Sequence, residues 1–224
     1  MEVTSRPRVK ICCIGSLEEA LIAIRHGADA VGLVSAMPSG PGPIPEDQIA
    51  AIAANLPPAV GSFLLTCKQN AAAIIDQQRR VRVNTIQICD SMGPGEYQTL
   101  REELPGLSIV QVIHVNGPDV VDEATSVAPF VNGILLDSGN QKLPVKELGG
   151  TGRTHDWTIS ARIREAVQVP VFLAGGLSFA NVAEALIKVG PFGVDVCTGV
   201  RTEGKLDEEK LSAFFAAIGR GRDL

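Results

Sequence analysis

Residues 9–34 read VKICCIGSLEEALIAIRHGADAVGLV, and the hydrophobic spacing changes twice inside that stretch. Val9 to Cys13 is a short β-rich run, and Leu17 to His26 carries its apolar residues at helical spacing. Ala30 to Val34 is apolar throughout, as a strand buried on both faces must be. The joints carry signals of their own. Ser16 with Glu19 three residues on has the pattern of a capping box, and Gly27 stands where a helix end calls for a left-handed residue. The stretch is expected to form a strand, a helix and a second strand parallel to the first.

The same unit recurs to the end of the chain. Further strands are predicted at Ala59 to Leu65, Thr85 to Ile88, Ser108 to His114, Gly133 to Asp137, Val171 to Ala174 and Gly193 to Cys197. Helices are predicted at Glu46 to Leu56, introduced by Pro45, and at Gln69 to Arg80, Tyr97 to Leu104, Asp119 to Ala128, Ile159 to Val167, Ala180 to Val189 and Glu208 to Ile218. Sharing 224 residues among eight units leaves 28 for each, room for a strand, a helix and two short loops. The alternation has no linker break, so the expected fold is α/β, a single (β/α)8 TIM barrel domain over residues 1–224. An open doubly wound sheet seldom needs eight successive strands, and the first loop, Cys13-Ile14-Gly15-Ser16, lacks the GxGxxG fingerprint.

Composition narrows the partners. The chain is 45% apolar and only 4% aromatic, and 20 Lys plus Arg against 25 Asp plus Glu give a net charge of −5. With no basic run, neither nucleic acid nor a membrane surface is expected as a partner. The opening MEVTSRPRVK lacks the apolar core of a signal peptide, and no apolar run approaches the ~20 residues of a membrane span, so a cytoplasmic location is expected. Cys12, Cys13, Cys67, Cys89 and Cys197 are odd in number and contain no CxxC pair, which suits neither a disulfide framework nor a zinc site. Neighbours on a strand face opposite ways, so Cys12 and Cys13 are not expected to share a ligand site.

In such a barrel the chemistry gathers where strands run out into βα loops. The polar residues there are Cys12, Cys13, Ser35, Cys89, Asp90, His114, Asp137, Cys197 and Thr198. Gly149-Gly150-Thr151-Gly152, Gly175-Gly176 and Thr198-Gly199 follow the last three strands. One such glycine is an ordinary tight turn, but three loops in succession let backbone N–H groups approach an anion, and a phosphorylated substrate is implied. Asp137 closes the apolar run Gly133-Ile134-Leu135-Leu136, placing a carboxylate at the barrel mouth. Cys12 can face the same mouth and act as its basic partner, although taken alone a cysteine there reads first as a core filler. His114 and His155 read as structural, and Trp157 as packing at a helix root.

Several ordered motifs resemble phosphoribosylanthranilate isomerase. They are Val9-Lys10-Ile11-Cys12, Gly27-Ala28-Asp29-Ala30-Val31-Gly32, Leu135-Leu136-Asp137, Gly149-Gly150-Thr151-Gly152 with Asp156-Trp157, Leu173-Ala174-Gly175-Gly176-Leu177 with Asn181-Val182, and Gly193-Val194-Asp195-Val196 with Gly199-Val200. The resemblance implies an isomerase of tryptophan biosynthesis that needs no metal or cofactor. It would take N-(5-phosphoribosyl)anthranilate, a small phosphorylated sugar-amine, to the 1-deoxyribulose 5-phosphate ketose. It also implies Cys12 as general base and Asp137 as general acid. Gly175, Gly176, Thr198 and Gly199 would hold the phosphate, with Gly150 and Thr151 on a closing loop, Asp195 near the sugar hydroxyls or amine, and Lys10 favouring the Cys12 thiolate.

The departures are specific. The family's loop after the second strand carries an arginine for the anthranilate carboxylate, whereas Met37 to Ile44 contains no basic residue. Losing a guanidinium partner for a buried carboxylate costs about 2 to 5 kcal/mol. The family's glycine after the catalytic cysteine is Cys13, and Gln87-Ile88-Cys89-Asp90 and Arg201 also depart from its pattern. Two readings follow. Arg153 or Arg201 replaces the carboxylate clamp, or the enzyme is a divergent phospho-sugar isomerase with a different aglycone. A non-catalytic phosphate-ligand binding protein on the same scaffold is the third reading.

Overall fold

Parallel pairing of Lys10 with both Ala30 and Asp195 closes the sheet on itself. The structure is a computed structural model and describes residues 6–220. Its barrel strands are β1 (Arg8–Ile11), β2 (Ala30–Val34), β3 (Gly61–Thr66), β4 (Thr85–Ile88), β5 (Ser108–His114), β6 (Gly133–Asp137), β7 (Val171–Leu173) and β8 (Gly193–Val196), hydrogen-bonded in that order around a closed ring. The helices are α1 (Leu17–Arg25), α2 (Glu46–Ala54), α3 (Ala71–Val81), α4 (Pro94–Glu103), α5 (Val120–Val127), α6 (Trp157–Ala166), α7 (Val182–Val189) and α8 (Glu208–Arg220). The (β/α)8 barrel expected from the alternation is the observed fold. Among the described residues no helix is long and apolar enough to cross a membrane.

Two apolar layers follow from the strand period of two. Outward residues such as Ile11, Val31, Leu64, Ile86, Ile134 and Val194 join the helices in the larger core. The inward set, including Ala30, Phe63, Leu65, Val110, Leu135 and Phe172, fills the barrel. Each fully buried aliphatic side chain contributes about 1.5 to 3 kcal/mol. Phe63 and Phe172 meet edge to face at 6.0 Å between ring centres inside the barrel.

Helix ends follow local chemistry and depart from the expected bounds by up to three residues, α4 beginning at Pro94 rather than Tyr97 and α6 at Trp157 rather than Ile159. Ser16 caps α1 by accepting from the Glu19 N–H at 3.1 Å. Glu19 does not complete the capping box, because its carboxylate instead accepts from the Gly15 N–H at 2.9 Å and pairs with Arg201. Pro45 sits at the N-cap of α2 rather than within its first turn. A hairpin of β9 (Arg201–Thr202) and β10 (Lys205–Leu206) lies between β8 and α8 and was not expected.

Candidate active site

The strand predicted over Val9 to Cys13 ends at Ile11, and that early ending shapes the site. The Cys12 N–H still bonds the Val196 carbonyl at 2.8 Å, so Cys12 extends the ladder and points into the barrel as Lys10 does. Cys13 then turns left-handed with φ +61°. This reverses the expectation that the two thiols face opposite ways, since both line one cleft. A side chain in that conformation is strained by its Cβ, and its neighbours hold it there. The Cys13 Sγ points to the Pro41 carbonyl at 3.6 Å, and a Cβ on Gly42 would fall 2.6 Å from the Cys13 Cβ.

Beneath the thiols lies a buried cation. Lys10 is wholly enclosed, its Nζ donating to Asp195 Oδ2 at 2.8 Å and standing 3.5 Å from Cys12 Sγ. The same Nζ lies 5.3 Å from the Phe63 ring centre. Burial alone would push the ammonium's pKa down, but the Asp195 carboxylate and the Cys12 thiol outweigh it and the net direction is up. Burial lifts the Asp195 carboxyl above the usual range, with Lys10 pulling the other way. The Cys12 thiol is lowered, chiefly by a hydrogen bond from Cys13, with Lys10 assisting against burial and the Asp195 charge. Cys13 is raised by the same bond, by its contact with Cys197 and by burial. One thiol is thus disposed to ionise and its neighbour to stay protonated and donate.

Asp137 ends β6, its backbone in register with His114 of β5. It is 8% exposed, and its Oδ1 accepts from the Ser138 N–H at 2.7 Å. Gly149, at φ +136°, passes so close that a Cβ there would meet Asp137 Oδ2 at 2.8 Å. Asp137, Cys12 and Asp195 line one cleft, and Gly150, Thr151, Gly175, Gly176 and Thr198 form part of its wall. Gly199 is not on that wall; a Cβ there would collide with the Leu177 carbonyl, so its glycine lets the loops after β7 and β8 interlock. Loop two joins the closure, since Ser39 Oγ donates to the Lys146 carbonyl at 2.7 Å and Gly150 leaves room for Pro41.

Buried acceptors point to further contacts. Asp195 Oδ1 and Gln87 Oε1 have no hydrogen-bond partner, and both residues line the cleft. Buried polar atoms normally find partners, so both suit a bound hydroxyl or amine. Gln87 was noted in the sequence only within a departing segment. Its signal was an amide at an inward position of β4, between the outward-facing Ile86 and Ile88.

The Arg201 guanidinium is engaged by protein groups behind the cleft rather than lining it. Its Nη1 donates to Glu19 Oε1 and to the Gly204 carbonyl, each at 3.0 Å, while Nη2 reaches the Cys13 carbonyl at 2.7 Å. It is 9% exposed and braces the Cys12-Cys13 turn from behind. Arg201→Ala is expected to lower stability by about 3 to 5 kcal/mol by stranding Glu19 and these carbonyls, as read from denaturant midpoints. Arg153 pairs with Glu147 on the exposed rim, in the loop before α6. His114 Nε2 meets the Cys89 carbonyl at 3.0 Å and His155 Nε2 meets Ser160 Oγ at 2.8 Å, both in structural settings. Trp157, the first residue of α6, packs in the outer core.

Comparisons with known proteins agree with this geometry. A family profile described as N-(5'phosphoribosyl)anthranilate (PRA) isomerase matches residues 9–217. The N-(5'-phosphoribosyl)anthranilate isomerase of Methanocella arvoryzae is 35% identical over 208 residues, covering 93% of this chain and 95% of the relative. That of Halorubrum lacusprofundi is 33% identical over 219 residues, covering 97% and 99%. Among solved structures, the phosphoribosyl anthranilate isomerase of Thermotoga maritima aligns with TM-score 0.82 and 29% identity over 96% of this chain and 99% of that one. A phosphoribosyl anthranilate isomerase in complex with reduced 1-(o-carboxyphenylamino)-1-deoxyribulose 5-phosphate aligns with TM-score 0.79 and 28% identity, covering 96% and 99%.

Proposed function

The chain belongs to the N-(5'-phosphoribosyl)anthranilate isomerase family of tryptophan biosynthesis, and from that premise we propose that Cys12 is its general base and Asp137 its general acid. The observation that carries this reading is the position of the two groups. A thiol held toward its thiolate and a carboxylate at the end of β6 open onto one cleft whose wall is made by glycine loops. Asp137 protonates the furanose ring oxygen of N-(5-phosphoribosyl)anthranilate, the C–O bond opens, and a Schiff base forms. The Cys12 thiolate then removes the C2 proton to give an enolamine, which tautomerises to the 1-deoxyribulose 5-phosphate ketose.

Lys10 and Cys13 act through Cys12 by stabilising its charge. The phosphate lies on the loops bearing Gly175, Gly176, Thr198 and Gly199, with Gly150 and Thr151 closing over it. Asp195 and Gln87 receive the sugar hydroxyls or the amine. A fluorescence assay on freshly generated phosphoribosylanthranilate tests the whole reading: turnover is expected from the wild type, and its absence would overturn the assignment. A phosphorylated substrate of this kind is made inside cells, and we place the protein in the cytoplasm.

With Arg201 committed elsewhere, Arg153 is the remaining cation of the proposed pair for the aglycone carboxylate, exchanging Glu147 for the ligand. Arg153→Ala is expected to raise KM about tenfold, or about 1.4 kcal/mol, with kcat nearly unchanged. An unchanged KM in steady-state kinetics would remove Arg153 from the site.

A further inference from the structure

The mechanism uses Cys12 as a base and Cys13 as a donor, but it leaves Cys197 without a role. Strands β1 and β8 are neighbours, with Ile11 opposite Val196. The Cys12 N–H bond to the Val196 carbonyl carries that register one step further and sets Cys12 beside Cys197. All three thiols are free and line the same cleft; Cys12 and Cys13 belong to the inner apolar cluster and Cys197 packs against it. Cys197 is half-buried, and its side chain meets that of Cys13.

We propose that Cys12 and Cys197 form a reversible disulfide when a hydroperoxide enters the cleft, so that the β1–β8 seam is a thiol modification site that switches the isomerase off. Adjacent strands lie about 4.8 Å apart, within the roughly 4.4 to 6.8 Å span of Cα atoms that a disulfide bridges. Neighbouring residues in the chain are separated by about 3.8 Å, outside that span, so a Cys12–Cys13 bridge is disfavoured although those thiols touch. Cys89 is fully buried and burial pushes its thiol up, which keeps it out of the chemistry.

The steps balance. The Cys12 thiolate attacks the terminal oxygen of the hydroperoxide, the O–O bond breaks, the alkoxide or hydroxide leaves and takes up a proton, and Cys12 becomes a sulfenic acid. The Cys197 sulfur then attacks the Cys12 sulfur, an S–S bond forms, and the sulfenic oxygen departs as water with the thiol proton. The peroxide is reduced by two electrons and the thiol pair is oxidised by two. A dithiol restores both cysteines by exchange. The loss of activity rests on Cys12 being the base, whereas the disulfide itself does not.

The test treats the whole protein with hydrogen peroxide, alkylates remaining thiols, digests with trypsin and assays samples before and after dithiothreitol. Cleavage after Lys10, Arg25, Lys188 and Arg201 puts Cys12 with Cys13 in peptide 11–25 and Cys197 in peptide 189–201. The expected result is a cross-linked pair of these peptides, two hydrogens lighter than their sum, with activity about 10²-fold lower or more in the oxidised fraction and regained on reduction. Cys197→Ser is expected to give no cross-link and to lose its own starting activity irreversibly, as Cys12 proceeds to sulfinic acid. A bridge confined to peptide 11–25, or oxygen addition without any cross-link, would overturn the proposal. A cross-link with undiminished activity would uphold the disulfide and instead dismiss Cys12 as base. Fragment-ion spectra of the wild-type cross-linked pair assign the bridge to Cys12 or to Cys13 even if the variant does not fold, and a bridge from Cys13 to Cys197 would overturn the proposal.

Discussion

A Lys10→Met chain is expected to lose about 3 to 5 kcal/mol of stability and most of its activity together, because one ammonium serves both. Removing it leaves Asp195 buried without its partner, the arrangement in which a broken buried pair costs most. At about 2 to 4 °C per kcal/mol for a chain of this size, the melting temperature falls by roughly 6 to 20 °C. The catalytic loss has a different signature. The Cys12 thiol is held below its ordinary range, chiefly by the hydrogen bond from Cys13 with Lys10 assisting, so the thiolate limb of kcat/KM lies lower than for a free thiol. Without a cation 3.5 Å away the limb moves up. The sign in stability is consistent: a group whose pKa is depressed on folding contributes stability above its unfolded pKa, and loses it as pH falls through the folded value. Pairing Lys10→Met with Asp195→Leu is expected to restore the melting temperature, since a hydrophobic replacement of both partners avoids the stranded charge, while activity stays low. An unmoved pH limb in Lys10→Met would dismiss the lysine as a support of the base.

The second large effect concerns the acid and the base themselves. Cys12→Ala and Asp137→Asn are each expected to reduce kcat by about 10²- to 10⁴-fold, with KM changed far less. The double variant is expected to fall short of the product of the two losses, because groups that serve one reaction sequence are not additive. Both variants are expected to keep their thermal shift with phosphate-ester ligands, since the Gly175-Gly176 and Thr198-Gly199 loops are untouched. A loss of only a few-fold in either kcat would remove that residue from its role.

Much of the barrel is legible in the sequence. The bounds of β2, β4, β5 and β6 agree residue for residue with their reading, because each is a short β-rich run cut off by glycine, proline or asparagine or by a polar loop. The Asp137 end of β6 was readable because one acid closes an apolar run. What escaped depends on contacts distant in sequence. Arg201 reads as a surface arginine until Glu19, 182 residues earlier, is seen to hold it. The β9–β10 hairpin has strands of two residues, too short to show a period. The left-handed turn at Cys13 was hidden because cysteine does not announce positive φ as glycine does.

The packing of Cys13 against Gly42 also constrains how this chain can change. A Cβ at position 42 would fall 2.6 Å from the Cys13 Cβ and 3.1 Å from its Cα, and Gly42 is itself left-handed at φ +83°, so a side chain there meets a steric and a backbone obstacle together. A basic residue at position 42 is therefore coupled to the residue after Cys12: glycine at 13 relieves the Cβ clash, while the left-handed backbone at 42 still resists a side chain.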